Sequence, residues 1–183
     1  MIDQQDVFYR IDADDRIVFV SDEWDRFAAG NEGNGVSSSA VLGRSLWDFI
    51  DGLTTQQIYR QIVKRSRAGN AVEYPLRCDA PDRRRFLQMD VRAADGGCVE
   101  FRSRILSEEP RAALGLLDPS QPRTNDLITV CSWCEKVRVD GNWVDVEDAI
   151  EALGLFQQAQ LPALTHGMCQ ACNDKMNEVI ATL

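Results

Sequence analysis

The spacing of apolar residues changes character several times along the chain. VFYRID and RIVFVS alternate around the polar turn Ala13-Asp14-Asp15, the pattern of a β-hairpin. In DEWDRFAAG, Trp24, Phe27 and Ala28 recur at helical spacing, with Ser21 placed to cap the helix. After a Gly/Ser stretch from Gly30 to Ser39, SLWDFI predicts a short apolar helix. LTTQQIYRQIVKRSRAG predicts a longer one, with Ile58 and Ile62 a turn apart and Gly69 ending it. The period then becomes two. Val72, Tyr74, Leu76 and Cys78 share one strand face, Leu87, Met89 and Val91 a second, and Val99, Phe101, Ser103 and Ile105 a third. Turns at Ala80-Pro81-Asp82 and Asp95-Gly96-Gly97 join these three into a meander. Five strands with helices inserted after the second predict an α+β fold, a sheet packed on one face by helices.

The pattern breaks at SEEPRAALGLLDPSQPRTND, where Pro110, Pro119 and Pro122 interrupt regular structure. This divides the chain into a first domain over 1–106, a linker over 107–126 with one helical turn near Ala112 to Leu117, and a second module over 127–183. In the second module NWVDV alternates like a strand, and EDAIEALGLF reads as a helix with Ile150 and Leu153 inward. NDKMNEVIATL reads as a final amphipathic helix with Met176, Val179 and Ile180 on one side.

Charge narrows the functional classes. The 183 residues carry a net charge of −9, which disfavours nucleic-acid binding because phosphates require a basic surface. No apolar run approaches the roughly 18 residues of a membrane helix. MIDQQDVFYR has neither a basic start nor an apolar signal core, so the expected location is cytoplasmic, with no membrane contact. In such a compartment six cysteines point to metal or redox chemistry before disulfides. The run Arg83-Arg84-Arg85, next to Asp79 and Asp82, reads as a solvated hairpin tip rather than a phosphate site.

The cysteines carry the sharpest chemistry. Cys131 and Cys134 form one C-x-x-C pair, Cys169 and Cys172 a second, with 34 residues between the pairs. Two intervening residues let a tight turn aim both sulfurs at one point, and two such turns supply four thiolates to a tetrahedral Zn²⁺. Four thiolates close the shell, which argues for structural rather than catalytic zinc. His166, in H-G-M-C-Q-A-C, is either a donor to a thiolate from outside the shell or an alternative ligand replacing Cys169 or Cys172. A small module of this kind needs a metal staple to complete a thin core. With eight acids and three bases from Leu127 onward, it suits contact with a protein partner rather than a nucleic acid.

The order of elements, carried by FYRIDADDRIVFVSDEWDRFA, GRSLWDFI and the closing meander, resembles a PAS sensory domain over about residues 6 to 106. The resemblance implies a five-stranded antiparallel sheet with a small cavity between it and the short helices, in a domain that binds a cofactor or small ligand or serves purely for dimerisation. Here a small ligand would meet Trp24, Leu46, Trp47, Phe49, Ile50, Ile58, Ile62, Leu76, Leu87, Met89 and Phe101, although such stripes more often simply fill a core. Haem is not expected, because the first domain has no histidine, and Cys78 or Met89 would have to serve as ligand. Flavin photochemistry is not expected either, since SLWDFIDG lacks a reactive cysteine.

The segment CSWCEKVR…GNWVDVEDAI…LTHGMCQAC resembles a C-terminal extension of bacterial PAS and response-regulator proteins, except that Glu135 stands where a lysine is usual. No nucleotide-binding glycine motif is present. The function expected is therefore a non-enzymatic signalling or regulatory protein: a PAS-like module for sensing or dimerisation, forming a homodimer, coupled to a zinc module that contacts an unidentified protein partner. The alternative is a thiol-redox or metal sensor, in which oxidation of the zinc thiolates ejects the metal and unfolds the tail.

Overall fold

The structure is a computed structural model that describes residues 6–30 and 35–182, the side chains at 29 and 30 excepted. The first five residues and part of the Gly/Ser stretch, 31–34, lie outside the described residues. The hairpin forms as β1 (Val7–Ile11) and β2 (Ile17–Val20), closed by Asp15 in the left-handed region and by Asp12 Oδ1, which accepts from the N–H groups of Asp14 and Arg16. Then follow α1 (Asp22–Gly30), α2 (Ser38–Val41) and α3 (Leu53–Arg67). SLWDFI contributes only a single 3₁₀ turn, Leu46–Asp48. The Ser21 hydroxyl accepts from the Phe8 N–H across to β1, and its carbonyl accepts from Trp24.

The meander is β3 (Val72–Arg77), β4 (Arg83–Ala93) and β5 (Val99–Pro110). With β1 and β2 it forms a five-stranded antiparallel sheet in the order β2-β1-β5-β4-β3. Of the inward stripe read from the period of two, Val72, Tyr74, Met89, Val91, Val99 and Phe101 are buried in one cluster with Ile58 and Ile62 of α3, Leu87 is buried outside that cluster, and Leu76, Cys78, Ser103 and Ile105 are half-buried. A bulge shifts the register between Phe86 and Leu87, leaving Leu106 of β5 unpaired and exposed.

The stretch read as a linker is structured. β5 continues to Pro110, a 3₁₀ turn covers Gly115–Leu117, and β6 (Arg123–Cys131) begins inside it. β6 joins β7 (Val137–Val139), β8 (Asn142–Val144) and β9 (Leu161–Gly167) in a second sheet, in the order β8-β7-β6-β9. β6 and β9 are parallel, and the crossover between them includes α4 (Val146–Ala152). Ile128, Val130, Val146, Ile150 and Leu155 build a small core there, completed by Leu114 and Leu116 from the supposed linker. The chain closes with α5 (Gln170–Ala181). Met176 and Ile180 of α5 are buried in the core of the first sheet, not in that of the second. No described helix is long and apolar enough to cross a membrane.

Candidate metal centre

Each cysteine pair sits where a strand ends. β6 delivers Cys131 to a tight turn in which the Glu135 N–H donates to the Cys131 carbonyl and the Cys131 N–H to the Lys136 carbonyl. Glu135 takes φ 60° to close the turn. β9 ends at Gly167, and Cys169 then caps α5. The two turns are tied together at Gly167, whose carbonyl accepts from both the N–H and the hydroxyl of Ser132. A Cβ at Gly167 would lie 3.0 Å from Thr129 Cγ2, so the residue before Met168 has to be small for β9 to lie this close to β6.

This brings the sulfurs of Cys131, Cys134, Cys169 and Cys172 within 4.8 Å of one another. Cys134 and Cys169 are 3.8 Å apart. Tetrahedral zinc–sulfur bonds of about 2.3 Å place sulfurs about 3.8 Å apart, so the donor set fits one ion. The N–H of Cys169 points at Cys131 Sγ and the N–H of Cys172 at Cys169 Sγ, each at 3.4 Å. These N–H groups, together with the N-terminus of α5, favour negative charge on the sulfurs. Without a cation the charges conflict. Hydrogen bonds from Cys134 and Cys172 pull the Cys131 thiol down, while the hydrogen bond each makes to Cys131 pushes Cys134 up to about 12 and Cys172 higher. A divalent ion removes that conflict by binding all four thiolates.

His166 stands apart from this group. It is exposed on β9, opposite Val130 of β6, and the four close-set donors are all cysteines. Cys131 and Cys169 are buried, whereas Cys134 and Cys172 are half-buried. Cys78 lies elsewhere, lining a cavity on the inner side of the first sheet, where burial pushes its thiol up to about 12 and so opposes formation of the thiolate.

The centre is embedded in the first domain's core. Trp133, between the two cysteines of the first pair, is 5% exposed, with its ring centroid 5.3 Å from that of Tyr59 on α3 and 5.6 Å from that of Tyr74 on β3. The Arg77 N–H at the edge of β3 donates to the Trp133 carbonyl. A second tie is ionic. The Asp79 side chain, fully buried, accepts from Arg77, from Arg111 at 3.1 Å and from the Arg85 N–H; Arg111 also meets Glu147 of α4. Arg84 reaches the same Glu147 at 2.7 Å, and Arg85 is buried against Glu108. All three arginines read as a solvated tip therefore lie within β4, and Arg84 and Arg85 are held by acids of other elements. Burial, assisted by nearby Asp79, raises Glu135 to about 8.

The residues expected around a first-domain ligand divide three ways. Trp24, Leu76, Leu87, Met89 and Phe101 line an apolar cavity of about 380 Å³, together with Tyr9, which the sequence reading passed over. Trp24, Leu46, Phe49 and Ile50 line an adjoining one of about 260 Å³. Trp47, Ile58 and Ile62 line neither. The two isoleucines are sealed in the core, and Trp47 stacks under Arg60 and donates to Asp15.

No protein-family model matches the chain, and a search of curated proteins finds no match. Similar solved structures include a domain of an HTR-like protein from Haloarcula marismortui ATCC 43049, at 16% identity over 56% of this chain and 98% of that one, with a TM-score of 0.36. The PAS domain of Bordetella pertussis BvgS is 14% identical over 55% of this chain and 72% of that one, with a TM-score of 0.36. A sensory box sensor histidine kinase from Vibrio cholerae is 9% identical over 56% of this chain and 82% of that one, with a TM-score of 0.40.

Proposed function

We propose that this is a non-enzymatic signalling protein of bacterial type, in which a PAS-like module for sensing or dimerisation is joined to a module held by structural Zn²⁺ on Cys131, Cys134, Cys169 and Cys172. The observation that carries the reading is the four-sulfur cluster, closed on all sides by thiolates and set against the core of the five-stranded sheet. Zinc suits soft thiolates, has no redox activity of its own, and with four of them has no open position for water. The acidic second module favours a protein partner over nucleic acid. The reading also takes the protein as a cytoplasmic homodimer without haem or flavin, with a small apolar ligand held beside Tyr9 and Trp24.

Native mass spectrometry with elemental analysis tests this in one experiment. One zinc per chain in a colourless dimer is the expected result; a metal-free chain, or one holding iron, overturns the zinc assignment, and a monomer removes the dimer.

The half-exposure of Cys134 and Cys172 favours a second reading, a thiol-redox or metal sensor. Mild peroxide should then release zinc stoichiometrically and redden the emission of Trp133 as it leaves the core. Zinc retained through such treatment excludes this reading.

A further inference from the structure

A chain of aromatic rings joins the first domain's cavities to the metal centre. Tyr59 of α3 lines the cavity of about 260 Å³, and its ring centroid also lies 5.3 Å from that of Trp133. Phe101 is 6.2 Å from Tyr59, and Tyr9 stacks on Phe101 at 4.7 Å; both line the cavity of about 380 Å³. Trp133 stands between Cys131 and Cys134, so a displacement of its indole pulls on the turn that aims their sulfurs. Tyr59 thus touches a cavity on one hand and the metal turn on the other.

The contact of Trp133 with α3 and β3 is closely packed but poorly satisfied. Of the buried side-chain polar atoms that make no well-formed hydrogen bond among the described residues, those of Asp15, Arg84 and Glu147 belong to ion-paired side chains. The others are Thr55 Oγ1, Tyr74 Oη and Trp133 Nε1, and all three border this contact. Tyr74 packs on Trp133 with the Tyr59 phenol beside it. Thr55 lies one helical turn before Tyr59, where α3 abuts the metal turns: a Cβ at Gly52 would lie 3.4 Å from Thr55 Oγ1 and 3.7 Å from Gly167 Cα. Water reaches all three atoms when the contact opens, which lowers the cost of opening. The contact therefore has a packed and an open state, and each end favours the packed one. A metal ion holds the turn that carries Trp133, and an apolar occupant beside Tyr9 and Tyr59 holds the rings that Trp133 packs on.

We infer that the cavity and the metal centre regulate each other through Tyr59 and Trp133. An apolar occupant of the first domain tightens the hold of the four cysteines on their ion, and the ion tightens the hold on the occupant by the same factor. The inference rests on the zinc and ligand readings proposed above and adds the link between the two sites.

Hexafluorobenzene, an uncharged ring whose binding is read by fluorine NMR, is the probe. Zinc affinity of the full chain is measured by equilibrium competition with a zinc-binding dye. Saturating probe should raise zinc affinity at least about fivefold. In Tyr59→Leu, with the probe again at saturation, the rise should fall below about twofold. Val36→Leu, which adds bulk to a wall shared by both cavities, should raise zinc affinity without any probe. Bound probe that leaves the zinc affinity of the unaltered chain unchanged overturns the inference. An equal rise in Tyr59→Leu also overturns it, since the link would then run through general stability. A chain that binds zinc but no probe defeats the ligand reading instead; Val36→Leu then decides, and zinc affinity unchanged there overturns the link. A chain that binds no zinc removes the proposed metal and this inference together.

Discussion

Cys131→Ser should lower the melting temperature of the whole chain by more than about 10 °C, not merely loosen its end. Two costs combine. The first is the metal: binding of structural zinc is worth about 10–16 kcal/mol in small peptides, comparable to the entire stability of a typical domain. Losing one of four thiolates removes most of that, and the second sheet has only a thin core of its own. The second cost falls on the first domain. Trp133, Met176 and Ile180 belong to the same buried cluster as Tyr74, Val91 and Phe101. Removing packing of this size typically costs 2–5 kcal/mol per large side chain. At about 2–4 °C per kcal/mol for a chain of this length, the shift is large. Hydrogen exchange locates it: amides of α3 and β3, far in sequence from the mutation, should lose protection together with those of β6 and β9. If α3 and β3 stay protected while the tail exchanges freely, the two modules are energetically separate and the shared core is incidental. Chelation should reproduce the mutant. The reading that oxidation unfolds the tail alone does not follow from this packing, because the first domain shares the loss.

What could be read beforehand, and what could not, follows from the range of each interaction. The hairpin and the meander were legible because alternation over Val72 to Cys78 or Leu87 to Val91 is a local signal, set by a sheet with one face buried. The four cysteines were legible because the turn that aims two sulfurs spans only four residues. Strands β6 and β9 were not. The first half of RTNDLITVC is polar and partly exposed, and LPALTHG carries a proline and a glycine that suggest a turn; both are held by pairing with each other across about 36 residues. Leu114 and Leu116 looked like linker residues because two buried positions in a proline-rich stretch make no period. The packing of Trp133 on Tyr59 and Tyr74 leaves no local trace at all, since its partners lie 59 or more positions away. Nor did the three consecutive arginines reveal their roles, because alternation in β4 sends neighbours to opposite faces and so to different acids.

Asp79→Asn should destabilise the protein by about 3–5 kcal/mol, far more than a surface charge change, because it strands buried cations without their counter-charge. The Asp79 carboxylate is fully buried and accepts from Arg77, Arg111 and the Arg85 N–H, while the Arg111 side chain is only 8% exposed. An amide of the same shape keeps one acceptor, turns an N–H₂ toward a guanidinium, and supplies no charge. Arg77 and Arg111 would then share Glu147 and Asp145, both partly exposed and more distant. Glu147→Gln provides the contrast. Its side chain is 35% exposed, so solvent already screens its pairs with Arg84 and Arg111, and the expected loss is below about 1 kcal/mol. Urea denaturation followed by circular dichroism measures both variants. Equal losses would mean that the ionic tie is distributed over the surface charges; a large loss for Asp79→Asn alone places it at the buried carboxylate, where the β3–β4 turn, the segment after β5 and α4 converge. That convergence is also why the stretch after β5 is not a free linker: Arg111 is held on one side by Asp79 and by the carbonyl of Ala80 at 2.9 Å, and on the other by Glu147. Cutting the tie at Asp79 should therefore raise exchange at Leu114 and Leu116 as well, both of which belong to the core of the second sheet.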